Sequence, residues 1–123
     1  GWPDFVVLRY AKRINGITQL IVTRLDILDG LNSIKVANSY RLDGRVIDDI
    51  NEPFPASESQ LARCEPVYEE LSGWEGETFG VREYNKLPDN ARRFIERMEE
   101  ELELPVKMVS TGPRRHETIV RSL

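Results

Sequence analysis

Two short polar motifs hold the residues of this chain best suited to chemistry: Thr23-Arg24-Leu25-Asp26 and Ser110-Thr111-Gly112-Pro113. An ionised carboxylate such as that of Asp26 can only accept hydrogen bonds, and its two oxygens can take two parallel N–H groups. The Watson–Crick edge of guanine offers such a pair, N1–H and the exocyclic N2–H₂. Adenine places a bare N1 lone pair there, which a fixed carboxylate repels. The carbonyl O6 of the same base needs a donor, and backbone N–H groups in a Ser110-Thr111-Gly112 turn can supply one. The Arg24 stem and guanidinium can lie on the purine face by stacking and cation–π contact. A second reading stays open: Asp26 caps a turn or pairs with an arginine. A lone Thr-Arg-Leu-Asp without context favours that second reading.

The remaining reactive residues form no comparable set. Asp48 and Asp49 are adjacent, and neighbours on a strand point to opposite faces, so they read as solvation of a hairpin end. Arg114-Arg115-His116 is too short for a phosphate patch, and Arg114 is its one residue beside the Ser-Thr-Gly turn. His116 has no sequence-near Asp, Ser or Cys to make it catalytic. Cys64 reads as a packed thiol, Glu96 to Glu103 as the solvated face of a helix, and Trp2 and Trp74 as packing residues. The Asp26 motif resembles the Asn-Lys-x-Asp logic of GTP-binding proteins. No Gly-x-x-x-x-Gly-Lys-Ser/Thr loop accompanies it, so nothing in the sequence can hold a triphosphate and its Mg²⁺.

The elements around the two motifs follow from periodicity. Pro3 suits the first turn of a helix in which Phe5, Leu8, Ala11 and Ile14 recur, with Val6, Val7 and Tyr10 widening the apolar face. Asn15-Gly16 stops it. Leu20-Ile21-Val22 reads as a buried strand running into the first motif. Ile34 to Tyr40 and Arg45 to Ile50 flank Asp43-Gly44, a strong hairpin signal. Asn51 to Ser59 reads as a loop, Ser57 to Arg63 as a short helical turn, and Pro66 to Leu71 as extended chain. Ser72 to Gly80, with Trp74 among glycines, reads as an exposed or partner-facing loop. Asp89 is placed to cap a helix whose stripe is Ala91, Phe94, Ile95, Met98 and Leu102. Val106 to Val109 is a second buried strand, running into the second motif. Ligands of open parallel sheets bind beyond the carboxyl ends of strands. The two motifs are therefore expected on the same side of one sheet, within a purine's reach, with both helices packed on it.

Composition bounds the function. The 123 residues are 40% hydrophobic and 31% charged, the balance of a core-forming chain. A net charge of -4 argues against a nucleic-acid partner. One Cys and one His exclude an internal disulfide and a multi-Cys zinc site. No apolar run spans a bilayer, so no membrane partner is expected, and the expected setting is the cytoplasm. The chain opens on Gly1-Trp2-Pro3-Asp4 at what reads as a helix entrance. The expectation is a C-terminal fragment of a longer protein; the alternative is a trimmed tag or a designed chain.

An ordered set of motifs is more specific than any one of them. Gly-Trp-Pro-Asp at 1–4, Thr-Arg-Leu-Asp-Ile-Leu-Asp-Gly at 23–30 and Ile-Lys-Val-Ala-Asn-Ser-Tyr at 34–40 are followed by Phe-Pro-Ala at 54–56. Cys-Glu-Pro-Val-Tyr-Glu-Glu at 64–70, Ser-Gly-Trp at 72–74, Leu-Pro-Asp-Asn-Ala-Arg at 87–92 and Val-Ser-Thr-Gly-Pro at 109–113 complete it. Over its whole length the chain closely resembles the C-terminal portion of adenylosuccinate synthetases. That resemblance implies an α/β fold, part of a P-loop-NTPase-like mixed sheet with flanking helices and an antiparallel hairpin, without an internal domain boundary. It implies the ligation of IMP and L-aspartate at the expense of GTP, giving adenylosuccinate, GDP and phosphate on the route to AMP. It assigns Arg24, Leu25 and Asp26, with Ser110, Thr111 and Gly112, to the guanine of GTP.

The phosphate loop, the catalytic residues, the Mg²⁺ ligands and the IMP and aspartate loops would all precede Gly1. The fragment alone is thus expected to be inactive and to bind GTP weakly or not at all, with the rest of the synthetase as its partner and a homodimer as the parent enzyme. Two departures from the family pattern stand out: Arg24 where many members carry Lys, and a loop lengthened at Asn51-Glu52-Pro53. A non-catalytic nucleotide-binding or interaction module of the same ancestry is the alternative function.

Overall fold

A computed structural model of the chain describes residues 2–50, 52–55 and 57–121. In chain order the elements are α1 (Phe5–Asn15), β1 (Leu20–Val22), β2 (Ser33–Leu42), β3 (Arg45–Ile47), α2 (Glu58–Arg63), β4 (Glu65–Ser72), α3 (Asp89–Leu102), β5 (Val106–Ser110) and β6 (Thr118–Val120). Short 3-10 turns occupy Leu25–Leu28 and Tyr84–Lys86. The fold is mixed α/β, with two three-stranded sheets of order β3-β2-β4 and β1-β5-β6. Contacts divide the chain into two compact units, Gly1–Ile17 with Lys35–Glu70 and Thr18–Ile34 with Leu71–Leu123.

In the first unit, Asp4 is the N-cap of α1, so Pro3 lies before the helix and not in its first turn. The Asp4 side chain accepts the Val7 N–H at 3.0 Å, which a proline at that position cannot do. Gly16 ends the helix at φ 65°, where a side chain would be strained. The helix belongs to the unit of β2, not to the β1/β5 sheet, and Asp4 bridges Ala37 of β2 in parallel. Its buried face matches the one the periodicity traced only in part, with Leu8, Tyr10 and Ala11 half-buried. Phe5, Val6 and Arg9 are buried, while Val7 and Ile14 are exposed. Arg9 is held by hydrogen bonds to the carbonyls of Asn38 and Asp48, both at 3.1 Å, and to Asn38 Oδ1 at 2.7 Å.

The β2/β3 hairpin turns on Asp43 (φ 49°) and Gly44 (φ 80°), the double positive φ that the tight hairpin turn needs. β3 ends at Ile47, three residues short of the expected run, because the chain turns at the two aspartates. Asp48 accepts the Ile50 N–H, and Asp49, its side chain 1% exposed, takes the Arg13 guanidinium at 2.9 Å and the Phe54 N–H at 2.8 Å. The pair is therefore a loop anchor rather than a solvated hairpin end. Asn51 and Ala56, within the expected loop and its Asn51-Glu52-Pro53 extension, lie outside the described residues, as does Gly1. Ser57 caps α2 through the Gln60 N–H. Cys64, half-buried, follows as the C-cap.

In the second unit, β1 and β5 pair in parallel, Leu20 opposite Val106 and Val22 opposite Val109, and β6 returns antiparallel with Thr118 opposite Ser110. The stripe of α3 (Ala91, Phe94, Ile95, Met98 and Leu102) is buried as its spacing predicts, each large side chain contributing about 2 kcal/mol of hydrophobic stabilisation. Pro88, not Asp89, holds the N-cap position, without a capping side chain; Asp89 is the first helical residue and pairs with Arg92. Glu99, on the face expected to be solvated, instead accepts the Val106 N–H at 2.8 Å and the Arg121 guanidinium at 3.1 Å. That guanidinium lies 4.2 Å from the centre of the Tyr84 ring. Burial, foremost, and the nearby Glu96 push the Tyr84 hydroxyl up to about 12. Among the described residues no helix is long and apolar enough to cross a membrane.

Candidate nucleotide-base site

Parallel strands send their carboxyl ends to one edge of the sheet. Val22 is opposite Val109, so Thr23-Arg24-Leu25-Asp26 and Ser110-Thr111-Gly112-Pro113 both leave the sheet on that edge, as their sequence positions predict. The chain after β1 turns at once. Arg24 adopts a left-handed backbone (φ 52°, ψ 54°), its carbonyl accepts the Ile27 N–H at 3.2 Å, and the 3-10 turn Leu25–Leu28 follows. A positive φ on an arginine costs about 1 kcal/mol and persists only where its surroundings fix it. Leu25 fixes it from below, at 1% exposure in the core.

The turn brings the Arg24 fork onto Asp26. Nε donates to Oδ1 and Nη2 to Oδ2, both at 2.9 Å, the bidentate geometry of the strongest ion pairs. The Asp26 side chain is 8% exposed and that of Arg24 40%. The Arg24 hydrogen bond, foremost, holds the Asp26 carboxyl below the ordinary carboxylate range against the opposing effect of burial. The guanidinium rises in turn, chiefly through Asp26, with the charge of Glu117 adding to the rise. Two N–H groups side by side are what the Asp26 motif is suited to read, and Arg24 presents such a pair.

The second motif offers backbone, and its amides can be accounted for one by one. The Thr111 N–H donates to the Glu117 carbonyl at 2.8 Å, so it is not the free donor expected of the turn. Thr111 Oγ1, fully buried, donates to the Val81 carbonyl at 2.7 Å. Pro113 has no N–H, and the Arg114 N–H donates to Glu117 Oε1 at 3.1 Å. Ser110 Oγ spans the turn to the Gly112 carbonyl at 3.1 Å. From Thr111 to Arg114, the Gly112 N–H is the one that finds no acceptor among the described residues. Arg114, Arg115 and His116 are exposed.

Two carboxylates that sequence reading left out hold these segments. Asp29, three residues after Asp26, receives Trp74 Nε1 at 2.7 Å, the Thr78 N–H at 2.8 Å, Thr78 Oγ1 at 2.7 Å and the Phe79 N–H at 3.3 Å. Trp74 is thereby buried against Phe94 rather than turned to a partner. Glu117 is 6% exposed beneath the second motif. The one legible signal for either was its position just beyond a candidate motif. Trp2, by contrast, is 39% exposed.

Polar groups gathered at the carboxyl edge of a parallel strand pair place the chain in the class of mixed α/β proteins. A family model described as adenylosuccinate synthetase matches residues 1–119. The chain belongs to the adenylosuccinate synthetase family. It is 48% identical to adenylosuccinate synthetase 1, chloroplastic, of Ricinus communis over 120 residues, 98% of this chain and 26% of that protein. The adenylosuccinate synthetase of Carboxydothermus hydrogenoformans is also 48% identical, over 98% of this chain and 27% of the relative. A solved structure of the fully ligated adenylosuccinate synthetase from Plasmodium falciparum matches with a TM-score of 0.89 at 33% identity, over 99% of this chain and 29% of that one. The chain thus spans about a quarter of the length of the curated relatives it matches.

Proposed function

We propose that this chain is the C-terminal, guanine-reading portion of a GTP-dependent adenylosuccinate synthetase, which joins IMP and L-aspartate to give adenylosuccinate, GDP and phosphate. The observation that carries the reading is the parallel pairing of β1 with β5, which delivers an acceptor-only carboxylate and an unspent amide to one sheet edge. In this reading the Asp26 oxygens accept guanine N1–H and N2–H₂, the Gly112 N–H donates to O6, and the Arg24 side chain covers the purine face. Leu25 anchors the first segment, while Ser110 and Thr111 shape the second. Fork-to-fork pairing uses both carboxylate oxygens, so the base edge exchanges with the Arg24 fork at Asp26. Triphosphate and Mg²⁺ fall to residues of the parent enzyme outside this chain. Among the described residues no group of three or more His, Cys, Asp or Glu could hold a metal ion, and no step assigned to this chain runs through one. Without phosphate contacts the isolated chain neither catalyses nor holds GTP tightly, and the working parent is a cytoplasmic homodimer.

The Arg24–Asp26 ion pair favours a second reading, in which Asp26 is scaffold and the chain an interaction module. Asp26→Asn in the full-length enzyme separates the two. The amide keeps one acceptor and turns a donor toward N2–H₂, so kcat/KM for GTP should fall steeply, toward the ~10⁴-fold discrimination reached by sites built on specific hydrogen bonds. Xanthine carries a carbonyl in place of the N2 amino group, so XTP should gain. An unchanged GTP:XTP ratio would leave Asp26 as scaffold.

A further inference from the structure

We propose that Glu117 is the positioning residue of the base site, its buried carboxylate holding the Ser110–Glu117 turn in the shape that leaves the Gly112 N–H as donor. The inference rests on the guanine-site reading and extends it to a residue that contacts no base. Three contacts converge on Glu117. Its Oε1 accepts the Arg114 N–H at 3.1 Å, its own N–H donates to the Arg114 carbonyl at 3.0 Å, and its carbonyl accepts the Thr111 N–H at 2.8 Å. The turn is therefore closed around Gly112 from both sides. The carboxylate also lies flat against Gly112: a Cβ there would stand 2.5 Å from Oε2, 2.6 Å from Cδ and 2.8 Å from Oε1. A side chain at position 112 would push that carboxylate away.

A carboxylate at 6% exposure is costly unless its environment supplies partners. Here they are the Arg114 amide and the positive charge of Arg24, the residue that pairs with Asp26 on the other strand end. One side chain so serves both halves of the site. It fixes the donor by contact, and its charge acts on the other half's cation at longer range. A merely structural Glu117 would be equally satisfied by any compact turn, whereas this one engages the Thr111 and Arg114 amides on either side of Gly112 and spares that of Gly112.

The experiment is steady-state kinetics on the full-length synthetase with GTP, IMP and aspartate varied in turn. Glu117→Ala leaves the Arg114 N–H unpaired and the turn unsupported. It should raise KM for GTP at least about tenfold, as expected of a lost buried partner, while KM for IMP and for aspartate and kcat at saturating GTP move less than about threefold. Glu117→Gln keeps the acceptor for Arg114 and should recover most of the loss. Gly112→Ala should raise KM for GTP in the wild type and add little in the Glu117→Ala background, because the clash is gone. If Glu117→Ala does not fold, Gly112→Ala carries the test through the same GTP-selective KM rise, with Glu117→Gln staying near the wild type. Equal rises for all three substrates, or an unchanged KM for GTP, would overturn the proposal. If Asp26→Asn shifts the GTP:XTP ratio while Glu117→Ala leaves KM for GTP unchanged, this inference alone fails; if the ratio does not shift, the site reading itself fails.

Discussion

At the end of β1 the groups able to meet a ligand are side chains, Arg24 and Asp26, whereas at the end of β5 they are backbone, gathered around Gly112. The two ends are also braced differently. Behind the first, Asp29 collects four donors from the Trp74–Phe79 segment, and the Gly73 N–H donates to the Asn32 carbonyl at 3.0 Å. Behind the second stands one flexible side chain, that of Glu117, folded against Gly112. A side-chain reader can change partner by rotating, and Asp26 already holds one partner it would have to exchange. A backbone reader cannot rotate, so its geometry must be set by what lies beneath it. The comparison teaches where substitutions should hurt stability and where they should hurt recognition.

The sharpest way to break it is through its glycines. A Cβ on Gly73 would stand 1.8 Å from the Leu31 carbonyl oxygen, a backbone atom, while a Cβ on Gly112 meets only the end of a side chain. Gly73→Ala should therefore displace the chain and cost about 3 kcal/mol or more, the upper range of overpacking penalties. Gly112→Ala should cost clearly less stability, its main effect being on KM for GTP. Thermal denaturation of the two full-length variants compares them directly, and equal losses would erase the distinction between a rigid and a yielding neighbour.

Asp29→Asn should come next. The amide keeps one acceptor oxygen and turns an NH₂ toward donors that now lack a partner, for a loss of about 2 kcal/mol. Quenching or a red shift of Trp74 emission should accompany the lower denaturation midpoint, since its Nε1–H loses its acceptor. A variant with wild-type stability would show that the loop is held by packing alone.

The smallest effect concerns Arg24. Its side chain is 40% exposed, so removing it in Arg24→Met should lower the melting temperature only slightly. The pH dependence is more telling. The Asp26 carboxyl is lowered in the folded state, chiefly by Arg24. The stabilisation is therefore present above the ordinary carboxylate value and is lost as pH falls through the lowered one. Melting temperatures of wild type and Arg24→Met should differ at neutral pH and converge in acid. A gap that persisted in acid would mean that Arg24 stabilises by packing its stem rather than by its charge. The ionised Asp26 also predicts no inflection in KM for GTP from this residue between about pH 5 and 8, where a lowered carboxyl does not titrate.

Local signals carried much of the fold. The 3.6-residue stripe of α3, the left-handed stop at Gly16 and the Asp43-Gly44 turn are each decided within a few residues, by side-chain spacing or by the φ that glycine permits. The two apolar runs feeding polar motifs were legible for the same reason, and so was a common edge for them, because parallel strands share one direction. The face of α1 was legible only in part: Phe5 and Val6 are buried as traced. Val7 and Ile14 fit an apolar stripe, yet Arg9 is the residue drawn inside, because carbonyls of Asn38 and Asp48, far along the chain, accept hydrogen bonds from its Nη1.

The limit at the site is the same. Residue types alone gave the chemistry present: an acceptor pair, a guanidinium and a glycine turn at the ends of two apolar strands, of which β5 holds buried residues while β1, expected to be buried, leaves Ile21 57% exposed. Only the tertiary structure decided which of those groups are already engaged. Asp26 meets Arg24 because a left-handed turn folds one onto the other. The Thr111 amide is spent and that of Gly112 is not, because Glu117 lies beneath the turn. Periodicity reports which face of an element is apolar; it carries no record of long-range hydrogen bonds, which join residues by position in space and fix which donors remain for a ligand.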